Sequence, residues 1–77
     1  MVDGSLVLFR KQQYAEDGDV VACLVGGDSA TVKRFRRAHK NIYLIPENDE
    51  LEPIVMSGRD RDRLIIQGVA VMVMKDL

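Results

Sequence analysis

Tryptophan is absent from this 77-residue sequence, and cysteine and histidine occur once each, as Cys23 and His39. A single cysteine closes no internal disulfide, and one histidine with one cysteine is too few for a zinc centre of several such ligands or for a histidine-based triad. No apolar run approaches the ~18 residues of a membrane helix, and the amino terminus has no charged-then-apolar signal pattern, so a cytoplasmic protein without a membrane segment is expected. Charge of one sign is lacking too: the net value is -1, which gives no overall field toward nucleic acid or an anionic membrane. No glycine loop has phosphate-cradle spacing, and neither a cofactor nor a metal is expected.

Apolar residues at 47% and charged ones at 30% describe a soluble folded domain rather than a disordered segment. The length allows one domain at most, near the size at which a single core leaves little surplus stability and a partner chain can help.

Strand signals follow one another along the chain. Asp3-Gly4 is a turn, and Ser5 to Arg10 a short strand after it. Glu16-Asp17-Gly18-Asp19 makes a second turn before the strand Val20 to Val25, in which Cys23 reads as a small buried hydrophobe. Gly26-Gly27-Asp28 supplies the positive backbone angles of a hairpin that returns through Ala30 to Arg37. Polar Ala38-His39-Lys40-Asn41 leads into Ile42 to Ile45, limited by Pro46, which completes a three-stranded meander. The acidic stretch from Glu47 to Pro53 lacks the spacing of a calcium loop and reads as solvated. Ile54-Val55-Met56 is a short strand and Ser57 to Arg63 a loop of alternating charge. The segment Leu64 to Met74 is too β-branched for a favoured helix, so it reads as two short strands or one bent strand with a bulge at Gly68. Its apolar residues on both faces call for cover on both sides, and a symmetry mate would remove the hazard of an open edge. The expected class is mostly β, built from hairpins and a meander, with little or no helix.

The stretch that could carry chemistry is Ala30-Thr31-Val32-Lys33-Arg34-Phe35. Strand alternation puts Thr31, Lys33 and Phe35 on one side and Val32, Arg34 and Arg36 on the other. Two readings of Lys33 stay open on this pattern. Its head can reach water from a basic hairpin, or entry of Phe35 into a core can draw it into surroundings that disfavour the ammonium and make the amine a base. The cluster Lys33, Arg34, Arg36, Arg37 and Lys40 has no interleaved aromatic beyond Phe35 and faces a balancing acidic loop, so it is not read as a nucleic-acid interface.

Asp3-Gly4, Gly18-Asp19-Val20-Val21-Ala22, Thr31-Val32-Lys33-Arg34, Leu44-Ile45-Pro46-Glu47-Asn48 with Pro53-Ile54, and Gly68-Val69-Ala70-Val71 occur here in one order over nearly the whole chain. In that order they resemble the carboxy-terminal domain of LexA and UmuD proteins, self-cleaving serine peptidases of the bacterial SOS response. The resemblance implies a LexA/signal-peptidase-like β domain, a Ser-Lys dyad with Lys33 as general base, activation by a RecA filament, and a homodimer through the C-terminal strand, Val69 to Met74. It also implies that DNA is held by a separate domain outside these residues.

In that family the nucleophilic serine lies in a Gly-Asp-Ser-Met stretch ahead of the segment matched by Asp3-Gly4, so residues 1–77 are expected to be a latent-peptidase and dimerisation domain incomplete at its N-terminal side, without activity alone. Gly27-Asp28-Ser29 repeats three of those letters. Ser29 nevertheless precedes Lys33 by four residues, about 13 Å of extended chain, beyond hydrogen-bond reach. The resemblance fits a LexA-like repressor and, as an alternative, a UmuD-like translesion polymerase accessory subunit; a non-catalytic β dimerisation module is the third reading.

Overall fold

The computed structural model describes residues 5–27, 29–46 and 52–75. The Asp3-Gly4 turn, Asp28 and the acidic residues 47–51 lie outside the described residues.

Alternation of apolar and polar side chains generates six strands: β1 Ser5–Lys11, β2 Val20–Val25, β3 Thr31–Ala38, β4 Asn41–Pro46, β5 Ile54–Met56 and β6 Leu64–Lys75. All pair antiparallel in one sheet of order β1-β6-β2-β3-β4-β5. The mostly-β class read from the sequence is the class observed. The expected meander is extended by β5 to four strands, β2 to β5, and the chain then returns to insert β6 between β1 and β2.

Turn chemistry explains the two hairpins. Ala38 pairs with Asn41, so β3 and β4 are joined by His39-Lys40 alone, and His39 takes the left-handed conformation (φ 56°) that such short loops require. Between β2 and β3, Gly26 and Gly27 carry positive φ values of 60° and 85°. That connection is wider than a tight hairpin, because the β2–β3 ladder stops at Cys23 and Thr31 while Leu24 and Val25 pair with β6 instead.

One difference from the sequence reading concerns residues 57–63. Gly58–Arg63 forms a 3-10 helix rather than an irregular loop. The Asp60 N–H donates to Ser57 O (3.0 Å), and the Gly26 N–H donates to Arg63 O (2.9 Å), tying the helix to the β2–β3 turn. All its side chains are solvated, so it needs no apolar face and leaves no period to read. No helix among the described residues is long and apolar enough to cross a membrane.

β6 is a single bent strand. Its register against β2 shifts between Ala22 and Cys23, leaving Gln67 as the extra residue; against β1 it shifts between Leu8 and Phe9, leaving Val71 extra. The first irregularity thus falls beside Gly68, and the second had no signal in the sequence. Each bulge re-aims the side chains that follow it. The described ladder from β6 to β2 ends at the Val69–Val21 pair, while that to β1 continues to Lys75.

The core gathers on one face of the sheet, from Ala15, Val21, Cys23, Phe35, Ile42, Leu44, Met56, Ile66 and Val69. Register makes it continuous: Phe35 opposes Leu44, Ile42 opposes Met56, Val21 opposes Val69 and Cys23 opposes Ile66. The other face keeps apolar residues in view, with Val55 and Ile65 each 53% exposed.

Candidate functional site

Lys33 stands on the core face of β3. Phe35, two residues on, is buried, and the neighbours of Lys33 across the ladders are Val21 on β2 and Pro46 on β4, both buried. Lys33 itself is half-buried, while Arg34 and Arg36 on the opposite face are exposed. The register therefore places Lys33 on the same side of β3 as Phe35. Pro46 has no N–H to donate, and among the described residues the β3–β4 ladder stops at this pair.

The next rung of the same face pairs Cys23 with Thr31. Cys23 is fully buried and free of any disulfide. Burial pushes its thiol up, against smaller opposing effects from a hydrogen bond with the Thr31 side chain and from the Lys33 charge. The sign of the pH dependence follows. The folded chain keeps a proton that the unfolded chain releases, so this contribution to stability is intact below the unfolded thiol's pKa, about 8.5, and declines above it. Melting temperatures measured from pH 7 upward are expected to fall more steeply above about pH 8.5 in the wild type than in Cys23→Ala. Equal slopes in the two proteins would refute the assignment to this thiol.

An acidic turn holds β3 just past Lys33. Gly18 takes the positive φ of 94° that the turn requires, and Gly18 N–H donates to Phe35 O and Phe35 N–H to Asp19 O, both at 2.7 Å. Oδ1 of Asp17 accepts from the Arg37 backbone N–H (2.8 Å) and pairs with Arg36 Nε (3.1 Å), while Arg34 Nη1 donates to Gly18 O (2.8 Å). Within the turn, Glu16 N–H donates to Asp19 Oδ2 (2.9 Å). Arg37 also lies over the Phe35 ring, 5.6 Å from its centroid. The ion pair is exposed and contributes little on its own, about 0–1 kcal/mol; the backbone bonds carry the attachment. Sequence reasoning named this turn but missed what it docks on. The available signal was Glu-Asp-Gly-Asp in the same chain as Arg34, Arg36 and Arg37, three carboxylates and three guanidinium groups of opposite sign.

The structure does not bring Ser29 to the lysine: Ser29 is exposed in the connection ahead of β3. His39 is exposed in the hairpin at the far end of the same strand. A separate concavity of about 260 Å³ lies where β1, β6 and the β1–β2 connection meet, lined among others by Arg10, Tyr14, Glu16, Asp19, Val69 and Val71. Lys33 does not line it; Val21 stands between Lys33 and the lining residue Val69 in the cross-strand row Lys33, Val21, Val69, Arg10.

Residues 1–71 match the Peptidase S24-like family. The LexA repressor of Tolumonas auensis is 42% identical over 76 residues, covering 99% of this chain and 36% of that protein. That of Petrotoga mobilis is 45% identical over 69 residues, 88% of this chain and 32% of the relative, and that of Halalkalibacterium halodurans 47% over 55 residues, 71% and 27%. The chain thus spans about a third of the length of these curated relatives. With a half-buried lysine in a Thr-Val-Lys-Arg strand and a family match over nearly all of its residues, the chain belongs to the Peptidase S24-like family.

Proposed function

We propose that these residues are the C-terminal portion of a LexA-like SOS-response repressor and supply the general base of a self-cleaving serine peptidase. The neutral amine of Lys33 takes the proton of a serine hydroxyl brought from outside residues 1–77. The serine oxygen attacks a peptide carbonyl of the parent protein, and the proton passes to the departing amine. Residues 1–77 alone have no peptidase activity. The observation that carries the reading is the half-buried position of Lys33 between Val21 and Pro46, on the face that buries Phe35.

The same reading includes a cytoplasmic homodimer formed through the C-terminal strand, Val69 to Met74, and a RecA filament as the activating partner. DNA is bound by a different domain of the parent.

Joining a Gly-Asp-Ser-Met segment of the family ahead of residue 1 tests the proposal. Self-cleavage is expected in the joined protein and none in the 77-residue chain. Lys33→Ala in the joined protein is expected to slow cleavage at least about a hundredfold with its circular dichroism unchanged. Cleavage that persists in Lys33→Ala at the parent rate removes Lys33 from the mechanism.

A further inference from the structure

Phe35 donates its N–H to Asp19 O and accepts from the Gly18 N–H, so both of its backbone groups face the β2 side of β3. Backbone groups of an extended chain alternate sides, and those of Lys33 therefore face the same way, toward Val21. Pro46, opposite on β4, receives no bond from them, so the backbone of Lys33 is held from the β2 side. β2 supplies that side only from Val20 onward, the residue that pairs with Arg34. Past Arg34 the turn takes over: Asp19 and Gly18 bond Phe35, and Asp17 Oδ1 accepts from the Arg37 N–H (2.8 Å).

This turn closes on Asp19. Its N–H donates to Glu16 O (3.0 Å) and its Oδ2 accepts from the Glu16 N–H (2.9 Å), a reciprocal pair that fixes where the Asp19 carbonyl points. That carbonyl meets Phe35 at 2.7 Å, two residues from Lys33 and on the residue that shares its side of β3. Resting on the self-cleavage reading above, we infer that Asp19 is a positioning residue for the Lys33 base: its carboxylate closes the turn, the turn sets β3 at Phe35, and β3 carries the lysine to the serine. What the role requires is an acceptor at Oδ2, not a negative charge. Misplacing a reacting group by about 1 Å can cost about a hundredfold in rate, so a loosened anchor two residues away is read in the cleavage itself.

Self-cleavage of the protein joined to the Gly-Asp-Ser-Met segment, followed as a function of pH, tests this. Asp19→Ala is expected to slow cleavage about tenfold and to move the rise of the rate toward higher pH, because a lysine shifted away from Val21 and Pro46 is better solvated and keeps its proton longer. Asp19→Asn offers the same acceptor without the charge and is expected to stay within about twofold of the parent, with the parent's pH profile. The other groups along this face are common to all variants: Val21 and Pro46 carry no charge, the Cys23 thiol follows on β2, and Arg37 follows Phe35 on β3. Should Asp19→Ala fail to fold by circular dichroism, Asp19→Ser keeps a shorter acceptor and is expected to slow cleavage about threefold. An alanine or serine variant that cleaves at the parent rate overturns the inference, as does one slowed equally at every pH, which reports lost folded protein alone. Asp19→Asn as slow as Asp19→Ala overturns it too, since the charge and not the acceptor would then act. Failure of the self-cleavage reading looks different: the joined protein stays intact, or cleaves as fast with Lys33→Ala, whichever residue stands at position 19, and the positioning role falls with it.

Discussion

Phe35→Ala is expected to cost about 3–5 kcal/mol and to leave most of the chain unfolded at room temperature. The ring is 1% exposed and opposes Leu44, itself fully buried, at the centre of the core face. Its strand is gripped on both sides, by Leu44 on β4 and by the Gly18 and Asp19 backbone bonds, so the surroundings have little freedom to collapse into the space left behind. Domains carry roughly 0.05–0.15 kcal/mol per residue, which for this length comes to about 4–12 kcal/mol. A single core in a chain this short supplies the lower end of that range, about 3–5 kcal/mol, so the loss is comparable to the whole margin. Urea denaturation followed by circular dichroism measures it, with Tyr14→Ala as the control: that ring is 68% exposed and its removal is expected to change stability by less than about 0.5 kcal/mol. A Phe35→Ala midpoint close to wild type would mean that Phe35 and Leu44 do not share a core.

The local pattern carried much of this fold because each strand buries one face. Val21 and Cys23 alternate with less buried neighbours along β2, and Lys33 and Phe35 alternate with exposed arginines along β3. Both are legible as a period of two. The bounds of β2 and β5 fall where turn residues stop the alternation, at Asp19 and Gly26 and at Pro53 and Ser57. What a period does not record is which strands meet. β6 pairs with β1 and β2, whose residues lie 39 or more positions away in sequence, and nothing in Leu64 to Lys75 names those partners. Insertion of β6 between them also explains its mixed pattern. The bulge at Gln67 shifts its faces, so Ile66 and Val69 both enter the core although they are three positions apart, a spacing that strict alternation forbids.

The candidate site divides the same way. The side of β3 that Lys33 shares with Phe35 follows from local alternation, and the general-base role proposed for it comes from family resemblance rather than from spacing. The concavity beside Glu16 and Asp19 left no trace in sequence, because its walls come from β1, β6 and a connection that only the sheet order brings together.

That sheet order makes a strong demand at one residue. Gly68 is buried, opposes Lys11 on β1 and Ala22 on β2, and has no positive φ that would make glycine necessary. The requirement is space. A Cβ at this position would lie 3.1 Å from the Arg10 carbonyl oxygen and 3.3 Å from the Phe9 Cβ, and the oxygen belongs to backbone that cannot swing aside as a side-chain tip does. Relief has to come from β1 moving away, and β1 is held along its length by the ladder to β6. Gly68→Ala is therefore expected to destabilise by about 1–2 kcal/mol despite the gain that alanine normally brings to a strand. Gly68→Val, with two further methyl groups in the same gap, is expected to cost about 3 kcal/mol and to loosen β1 first. Hydrogen exchange resolves the order of events: amides of Ser5–Lys11 lose protection in Gly68→Val before those of β3 and β4 do. A variant with wild-type protection on β1 would show that β1 does not lie against Gly68, and would remove the insertion of β6 between β1 and β2.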